Sequence, residues 1–319
     1  MKKIGLLFGV ENSFPGALAE AINARHVEGI EAEFVQVGAV VLDEQPPYAV
    51  IVDRISHQLP FYRTWLKQAV ASGCWVINNP LRWSADDKAL NYTLARRLGV
   101  AVPPTVLLPH KQMPGAVGER SLRNLEYPLN WESVFETVGE HGYLKPVDGG
   151  GGRSVVEVAS RQEFFAAYDR TGSACMVYQK AIDWEAYFRC CVIGSKVRVM
   201  GYDPRKPQEE RYLKGASEAG RRMVARLKRD ALTLCQALGY ECNTVEFAIE
   251  RGVPYAIDFY NPVPDADPRS IGQQHFEWMV EEMASLAIAR ARRLPGGEML
   301  PGVGRARRTS QRARSLVES

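Results

Sequence analysis

Over its first hundred residues the chain alternates short apolar runs with stretches of helical spacing. Residues 4–10, 32–37, 49–54 and 75–77 are apolar runs of strand length, and helical spacing recurs between them at 17–25 and 61–71. This alternation predicts an α/β unit built on an open parallel sheet. The loop 11–15 leaves the first strand at its carboxyl end, where sheets of this kind bind ligands. Its sequence ENSFPG lacks the GxGxxG spacing, which disfavours a dinucleotide. Arg54 closes a buried strand, placed either to grip an anion or to cap the strand end. A helix is expected from Ser84 to Gly99, with Lys88 in its first turn. The helix dipole disfavours a cation there unless a phosphate lies near; the alternative is a lysine pointing to water.

A Pro-punctuated strand over 100–109 leads into a second subdomain beginning near His110. Its pattern reads as a loop over 111–130, a helix over 131–140 and a short extended piece over 143–146. Four glycines follow, Gly149, Gly150, Gly151 and Gly152, and then a strand over 154–158. Strand, glycine loop and strand make a hairpin, not the strand–loop–helix of a P-loop. Backbone N–H groups of such a loop can approach phosphate oxygens, with Lys145 as the neighbouring point charge; a hairpin tip without a ligand is the alternative. A helix over 163–169 and a strand over 175–180 come next. The strand 188–193 is interrupted by Arg189, which needs a partner or a cavity. A long amphipathic helix over 222–238 and a last helix over 276–290 flank one more hairpin.

That hairpin, TVEFAIERGVPYAIDFYNPVPDAD from Thr244, carries the most chemistry. With the turn centred on Gly252, Glu246 and Asp258 become cross-strand neighbours on one face. Like charges directly opposite are destabilising, and apolar strands add a desolvation cost. A divalent cation preferring oxygen ligands removes both; Mg²⁺ typically takes one or two carboxylates plus substrate phosphates. The competing reading is an ordinary hairpin with one wet face.

Composition changes little. At 319 residues, 46% hydrophobic and 24% charged, the chain is of ordinary globular type and long enough for two or three packed units. Its six cysteines show no CxxC or zinc spacing and are expected as reduced thiols in the cytoplasm. No apolar run approaches the ~20 residues that span a bilayer. The basic start followed by IGLLFGV is expected to be a buried strand and not a signal peptide. The net charge of +3 is uneven: eight arginines and two glutamates within 290–319 make that end +6 and the rest −3. The segment 294–319 is expected to be a basic, solvated tail, with nucleic acid disfavoured as its partner.

Five motifs in order resemble the ATP-grasp superfamily, in particular the branch of glutathione synthetase, D-alanine–D-alanine ligase and the ribosomal-protein glutamate ligase. They are NNPLRWSADDKALNYTLARRLGVAVPPT, YLKPVDGGGGRSVVEV, VYQKAI, AYFRCCVIG and VEFAIERGVPYAIDFYNPVP, and the resemblance runs from about residue 4 to about 289. It implies an α/β ATP-grasp fold: an N-terminal parallel-sheet subdomain (1–108), a central α+β lid (109–183) and a C-terminal antiparallel-sheet subdomain (184–293). It implies ATP and Mg²⁺ (or Mn²⁺) between the last two. Lys88 and Lys145 would contact phosphates, under a loop made of Gly149, Gly150, Gly151, Gly152 and Ser154. Gln179, Lys180 and Ile182 would line the adenine region and Glu185 the ribose. Glu246, Asp258 and Asn261 match metal-ligand positions. Arg189 matches an arginine that meets the transferring phosphate or acyl group, and Arg205 is the nearest candidate to assist it.

The implied activity is an ATP-dependent carboxylate–amine ligase working through an acyl phosphate on amino-acid or peptide-like substrates. A small-molecule kinase and a non-catalytic nucleotide-binding module are the alternatives. Dimers are common among relatives, so a homodimer is expected to be accessible. Two departures stand out. Asp258 and Asn261 are three apart where the family has an offset of two, so in a regular strand Asn261 would point away. Gln179 also replaces an acidic residue often found at its position.

Overall fold

The computed structural model describes residues 1–42, 44–83, 87–113, 115, 118, 123–148, 154–213 and 218–293, with side chains described from 223 onward in the last stretch. The glycines at 149–152, the residues 84–86 and the segment 294–319 lie outside the described residues. Among the described residues no helix is long and apolar enough to cross a membrane.

Three four-stranded sheets organise the chain. The first subdomain runs β1 (Lys2–Leu7), α1 (Phe14–Asn23), β2 (Ile30–Phe34), β3 (Tyr48–Asp53), α2 (Pro60–Ala71), β4 (Trp75–Ile77), α3 (Pro80–Trp83) and α4 (Lys88–Arg97). Its strands are parallel in the order β2-β1-β3-β4, as the alternation predicts. Period-two alternation divides its apolar residues between two layers: Val50 and Val52 face α1, while Ile51 and Val76 face Trp65, Leu66 and Val70 of α2.

The middle sheet contains β5 (Thr105–Leu108), α5 (Trp131–Val138), β6 (Gly142–Pro146), β7 (Val156–Val158), α6 (Arg161–Tyr168) and β8 (Met176–Lys180). It is antiparallel in the order β5-β8-β6-β7. A boundary at residue 108 would cut off β5, which pairs with β8 and belongs to this sheet. The expected strand over 100–109 is therefore only four residues long. Pro103 and Pro104 explain its late start, because proline offers no donor to a ladder.

The last sheet is antiparallel, β10-β9-β11-β12. It comprises β9 (Ala186–Ile193), β10 (Lys196–Gly201), α7 (Glu218–Leu238), β11 (Cys242–Glu250) and β12 (Val253–Asp258), followed by α8 (Pro268–Ile271) and α9 (Gln273–Arg292). Strand β10 was not singled out in the sequence, although its KVRVM alternates polar and apolar residues; it pairs antiparallel with β9. Helix α9 packs on α1, β1 and β3 and also on β9, so it joins the first subdomain to this sheet. Arg290 of α9 lies 4.5 Å over the Trp75 ring, and both donate to Glu241, which pins β4, β11 and α9 together.

Asn23 closes α1 onto β2. Its Nδ2 donates to Ala32 O at 3.0 Å, and its Oδ1 accepts the Ala32 N–H at 2.8 Å. Asn23→Ala removes both bonds and should cost about 1 kcal/mol, read as a lower urea midpoint at unchanged slope.

Candidate active site

The turn of the β11–β12 hairpin is Arg251-Gly252, with φ of +51° and +74°. Two residues with positive φ make the turn type whose twist suits a two-residue hairpin. The ladder therefore pairs Glu250 with Val253 and Phe247 with Ala256, one residue out of step with a turn centred on Gly252. Continued unbroken, this register would set Glu246 opposite Ile257 and turn Asp258 to the other face. A register shift between Glu246 and Phe247 intervenes, and Glu246 pairs with Asp258. The expected pairing is thus present, but a bulge at Ile257 makes it and not the turn. Two residues of β12 oppose one of β11, as in other bulges that re-aim a side chain. Tyr92 of α4 donates its hydroxyl to the bulged Ile257 carbonyl at 2.8 Å.

Glu246 is held on both oxygens. Arg189, its register partner on β9, reaches Oε1 through Nε (2.9 Å) and Nη2 (2.6 Å), and Tyr187 donates to Oε2 at 2.5 Å. Burial opposes the charge on Arg189, but Glu246 and the hydroxyls of Tyr212 and Tyr202 hold its pKa above the ordinary value. Its Nη1 donates to Tyr212 at 2.9 Å, and its guanidinium lies 4.0 Å over the Tyr202 ring. Arg189 thus satisfies Glu246 alone. Asp258 remains exposed to repulsion: burial first, then Glu246, raise its pKa, against Lys88 and Lys145, which lower it.

Both lysines are buried, each 7% exposed. Lys145 of β6 donates to Gln179 Oε1 of β8 at 2.7 Å, and Gln179 Nε2 donates to Thr105 Oγ1 at 3.0 Å. Burial lowers the Lys145 pKa to about 8, with Asp258 and Glu246 opposing and Lys88 assisting. Lys88 is the first residue of α4, whose N-cap is Asp87 accepting from Leu90 N–H. The Lys88 N–H bonds Val147 O at 2.9 Å, which ties α4 to the end of β6. Four charges from two sheets and a helix thus sense one another around Asp258.

The remaining candidates surround this group unevenly. Ile182 packs against the cluster of Tyr187, Tyr202 and Ala248. Lys180 is exposed at the end of β8. Glu185 accepts from the Gly252 N–H at 3.3 Å, at the hairpin turn. Ser154 is exposed, with φ of +58°. Arg205 is exposed, bonded to Asp203 at 3.0 Å and 4.0 Å over the Trp184 ring, so it is engaged away from Glu246. Strand β12 ends at Asp258, so strand alternation no longer dictates where Asn261 points. Tyr187 and Tyr92 escaped notice in the sequence. Tyr187 sits two residues before Arg189, on the same face, and that spacing was the available signal.

Two carboxylates facing across a strand pair suit a hard, oxygen-seeking cation. Among the described residues no group of three His, Cys, Asp or Glu could hold a metal by itself. A site of this kind relies on further oxygens, such as an amide or a phosphate. Oε1 of Glu246 already accepts two N–H groups of Arg189, whereas Oε2 accepts one bond, from Tyr187, and keeps a second lone pair for such a cation. The residues therefore fit Mg²⁺ or Mn²⁺.

No family model and no curated protein matches the sequence. Solved structures do match its shape. An ATP-grasp RimK domain protein from Sphaerobacter thermophilus superposes with a TM-score of 0.64 at 18% identity, over 89% of this chain and 98% of that one. The chain has the ATP-grasp fold. D-alanine–D-alanine ligase from Bacillus anthracis, complexed with ATP, matches at a TM-score of 0.57 and 14% identity, over 91% of this chain and 97% of that one. The ATP-grasp ligase PsnB, complexed with a minimal precursor, Mg and ADP, matches at 0.58 and 14%, over 91% and 98%. In this ATP-grasp fold the facing carboxylates lie on the last sheet and Lys145 on the middle one.

The depressed Lys145 pKa has a consequence for stability. The unfolded chain keeps that proton up to about 10.5, whereas the folded chain releases it near 8. Between these values the unfolded state binds more protons, so stability rises with pH across that window. Lys145→Met should abolish the lysine's share of this rise, roughly 1–3 kcal/mol, in urea titrations at pH 7 and pH 10.

Proposed function

We propose that this protein is an ATP- and magnesium-dependent carboxylate–amine ligase acting through an acyl phosphate on an amino-acid or peptide-like substrate. The observation that carries the reading is the bulge-made pairing of Asp258 with Glu246 beneath two buried lysines. An arrangement of two acids and two bases this closely coupled suits a polyanion and its cation better than it suits a core. The overall likeness to ATP-grasp ligases supports the same reading.

In this reading Lys88 and Lys145 neutralise phosphate oxygens, and Gln179 keeps Lys145 aimed by accepting a hydrogen bond from its ammonium group. Gly149, Gly150, Gly151, Gly152 and Ser154 cover the phosphates and exclude water from the intermediate. Lys180 and Ile182 border the adenine and Glu185 the ribose. Glu246, Asp258 and Asn261 hold the cation, which supplies charge neutralisation on the phosphoryl oxygens. A substrate carboxylate oxygen attacks the γ-phosphorus in line as the bond to the β,γ-bridging oxygen breaks, releasing ADP. The amine nitrogen then adds to the acyl carbon and phosphate leaves, with one proton lost from the nitrogen. Arg189, set beside Glu246 and Tyr212, offers its guanidinium to the acyl phosphate and the oxyanion formed on it. Arg205 joins it only if it leaves Asp203. The cytoplasm is the compartment this reading expects.

Incubation with ATP, Mg²⁺ and a panel of amino acids and short peptides should release ADP in a substrate-dependent way, and hydroxylamine should trap a hydroxamate. A stable phosphate ester in its place would make the protein a kinase. Asp258→Asn should lower turnover at least 10³-fold, since it removes charge from the point where phosphoryl charge develops. ADP release that ignores every substrate and survives Asp258→Asn would overturn the proposal.

A further inference from the structure

The chain leaving β12 satisfies its backbone without a neighbouring strand. Pro262 and Pro264 carry no N–H, so the stretch 257–264 cannot continue a regular ladder. Side chains from four separate places meet its polar groups instead. Tyr92 of α4 donates to Ile257 O at 2.8 Å, and Asn243 Nδ2 of β11 donates to Phe259 O at 2.9 Å. Asn243 Oδ1 accepts the Asn261 N–H at 3.1 Å. Asn78, directly after β4, donates to Pro262 O at 3.0 Å, and Arg54, directly after β3, donates to Pro264 O at 2.8 Å.

All four side chains are nearly sealed from water, between 0% and 5% exposed. Asn78 is fully used: its Oδ1 also accepts the N–H groups of Glu241 and Cys242, each at 2.8 Å, and its Nδ2 reaches Cys242 O at 2.6 Å. Buried polar groups are costly unless paired, and a half-satisfied network is worse than an apolar core. Apolar packing would hold a loop at less risk, so what this arrangement secures is an exact backbone path. Asp258 and Asn261 supply the carboxylate and amide oxygens of the clamped stretch, with the Tyr260 hydroxyl between them in sequence.

We infer that Asn243, completed by Asn78, Tyr92 and Arg54, is a positioning residue that sets Asp258 and Asn261 as a matched pair of cation ligands. Its single amide grips the backbone on both sides of Tyr260, which replaces strand pairing where β12 has ended. Three members of the clamp, Arg54, Asn78 and Tyr92, come from the first subdomain, so that subdomain helps to shape a metal site on the last sheet. This inference rests on the ligase reading for the identity of the cation site.

The test needs no turnover. Free Mn²⁺ is measured by electron paramagnetic resonance during titration of the full chain with and without a non-hydrolysable ATP analogue, for wild type, Asn243→Ser and Tyr92→Phe. Asn243→Ser should weaken Mn²⁺ binding at least tenfold and Tyr92→Phe at least threefold, while metal-free analogue binding stays within twofold. Asn23→Ala, which breaks a similar two-sided amide grip elsewhere, should lower the melting temperature without moving the Mn²⁺ affinity. Should Asn243→Ser fail to fold, the nearly isosteric Tyr92→Phe decides. Mn²⁺ affinity within twofold of wild type in the folded variants overturns the inference and leaves the ligase reading intact. Wild-type protein that takes up no Mn²⁺ beside the analogue sinks both.

Discussion

The repulsion between Asp258 and Glu246 is the constraint around which the rest of the last sheet is arranged. Two carboxylates set opposite one another in partly buried strands are unfavourable on both Coulombic and solvation grounds. The fold answers each acid differently. Glu246 is answered locally by Arg189 and Tyr187, from the adjacent strand of the same sheet. Asp258 is answered at a distance by Lys88 and Lys145, which belong to other parts of the chain. One acid is thus a fixed element of the sheet, while the balance at the other depends on how the subdomains meet.

This difference gives the long-range contacts their meaning. Helix α4 carries Lys88 towards the last sheet, packs Tyr92 edge-on against Phe259 and bonds the Ile257 carbonyl. Its N-terminus is tied to Val147 at the end of β6, so Lys88 and Lys145 are coupled through backbone as well as charge. Helix α9 and the Glu241 cluster secure the first subdomain to the same sheet from the opposite side. Neither the middle sheet nor the last would hold a balanced set of charges alone.

The elements themselves were largely readable in the sequence. Buried parallel strands appear as short apolar runs, and β4 begins and ends where its pattern does. The boundaries that moved did so for local reasons. Asp87, not Ser84, caps α4, because its side chain reaches Leu90 N–H. Strand β5 starts only after Pro103 and Pro104. Among the site residues, Lys88, Lys145, Arg189, Glu246 and Asp258 come together, whereas Arg205 is bound to Asp203. Tyr92, Asn78 and Asn243 were silent, since a buried polar residue that is fully bonded looks like any other polar residue in one dimension.

That the later hairpins belong to two antiparallel sheets was implied only by the family resemblance, whereas residue type and spacing alone determined a parallel unit at the start of the chain, hairpins after it and acids on the last of them. Periodicity suffices for that, because which face of an element is apolar is a local property. Which acid faces which was decided only in three dimensions. The positive-φ turn at Arg251-Gly252 sets one register and the bulge at Ile257 another, and the bulge is held by a hydroxyl from a helix about 165 residues earlier in the chain. A shift of a single residue turns a side chain to the opposite face of a sheet, so the site's geometry rests on a contact that no local pattern encodes.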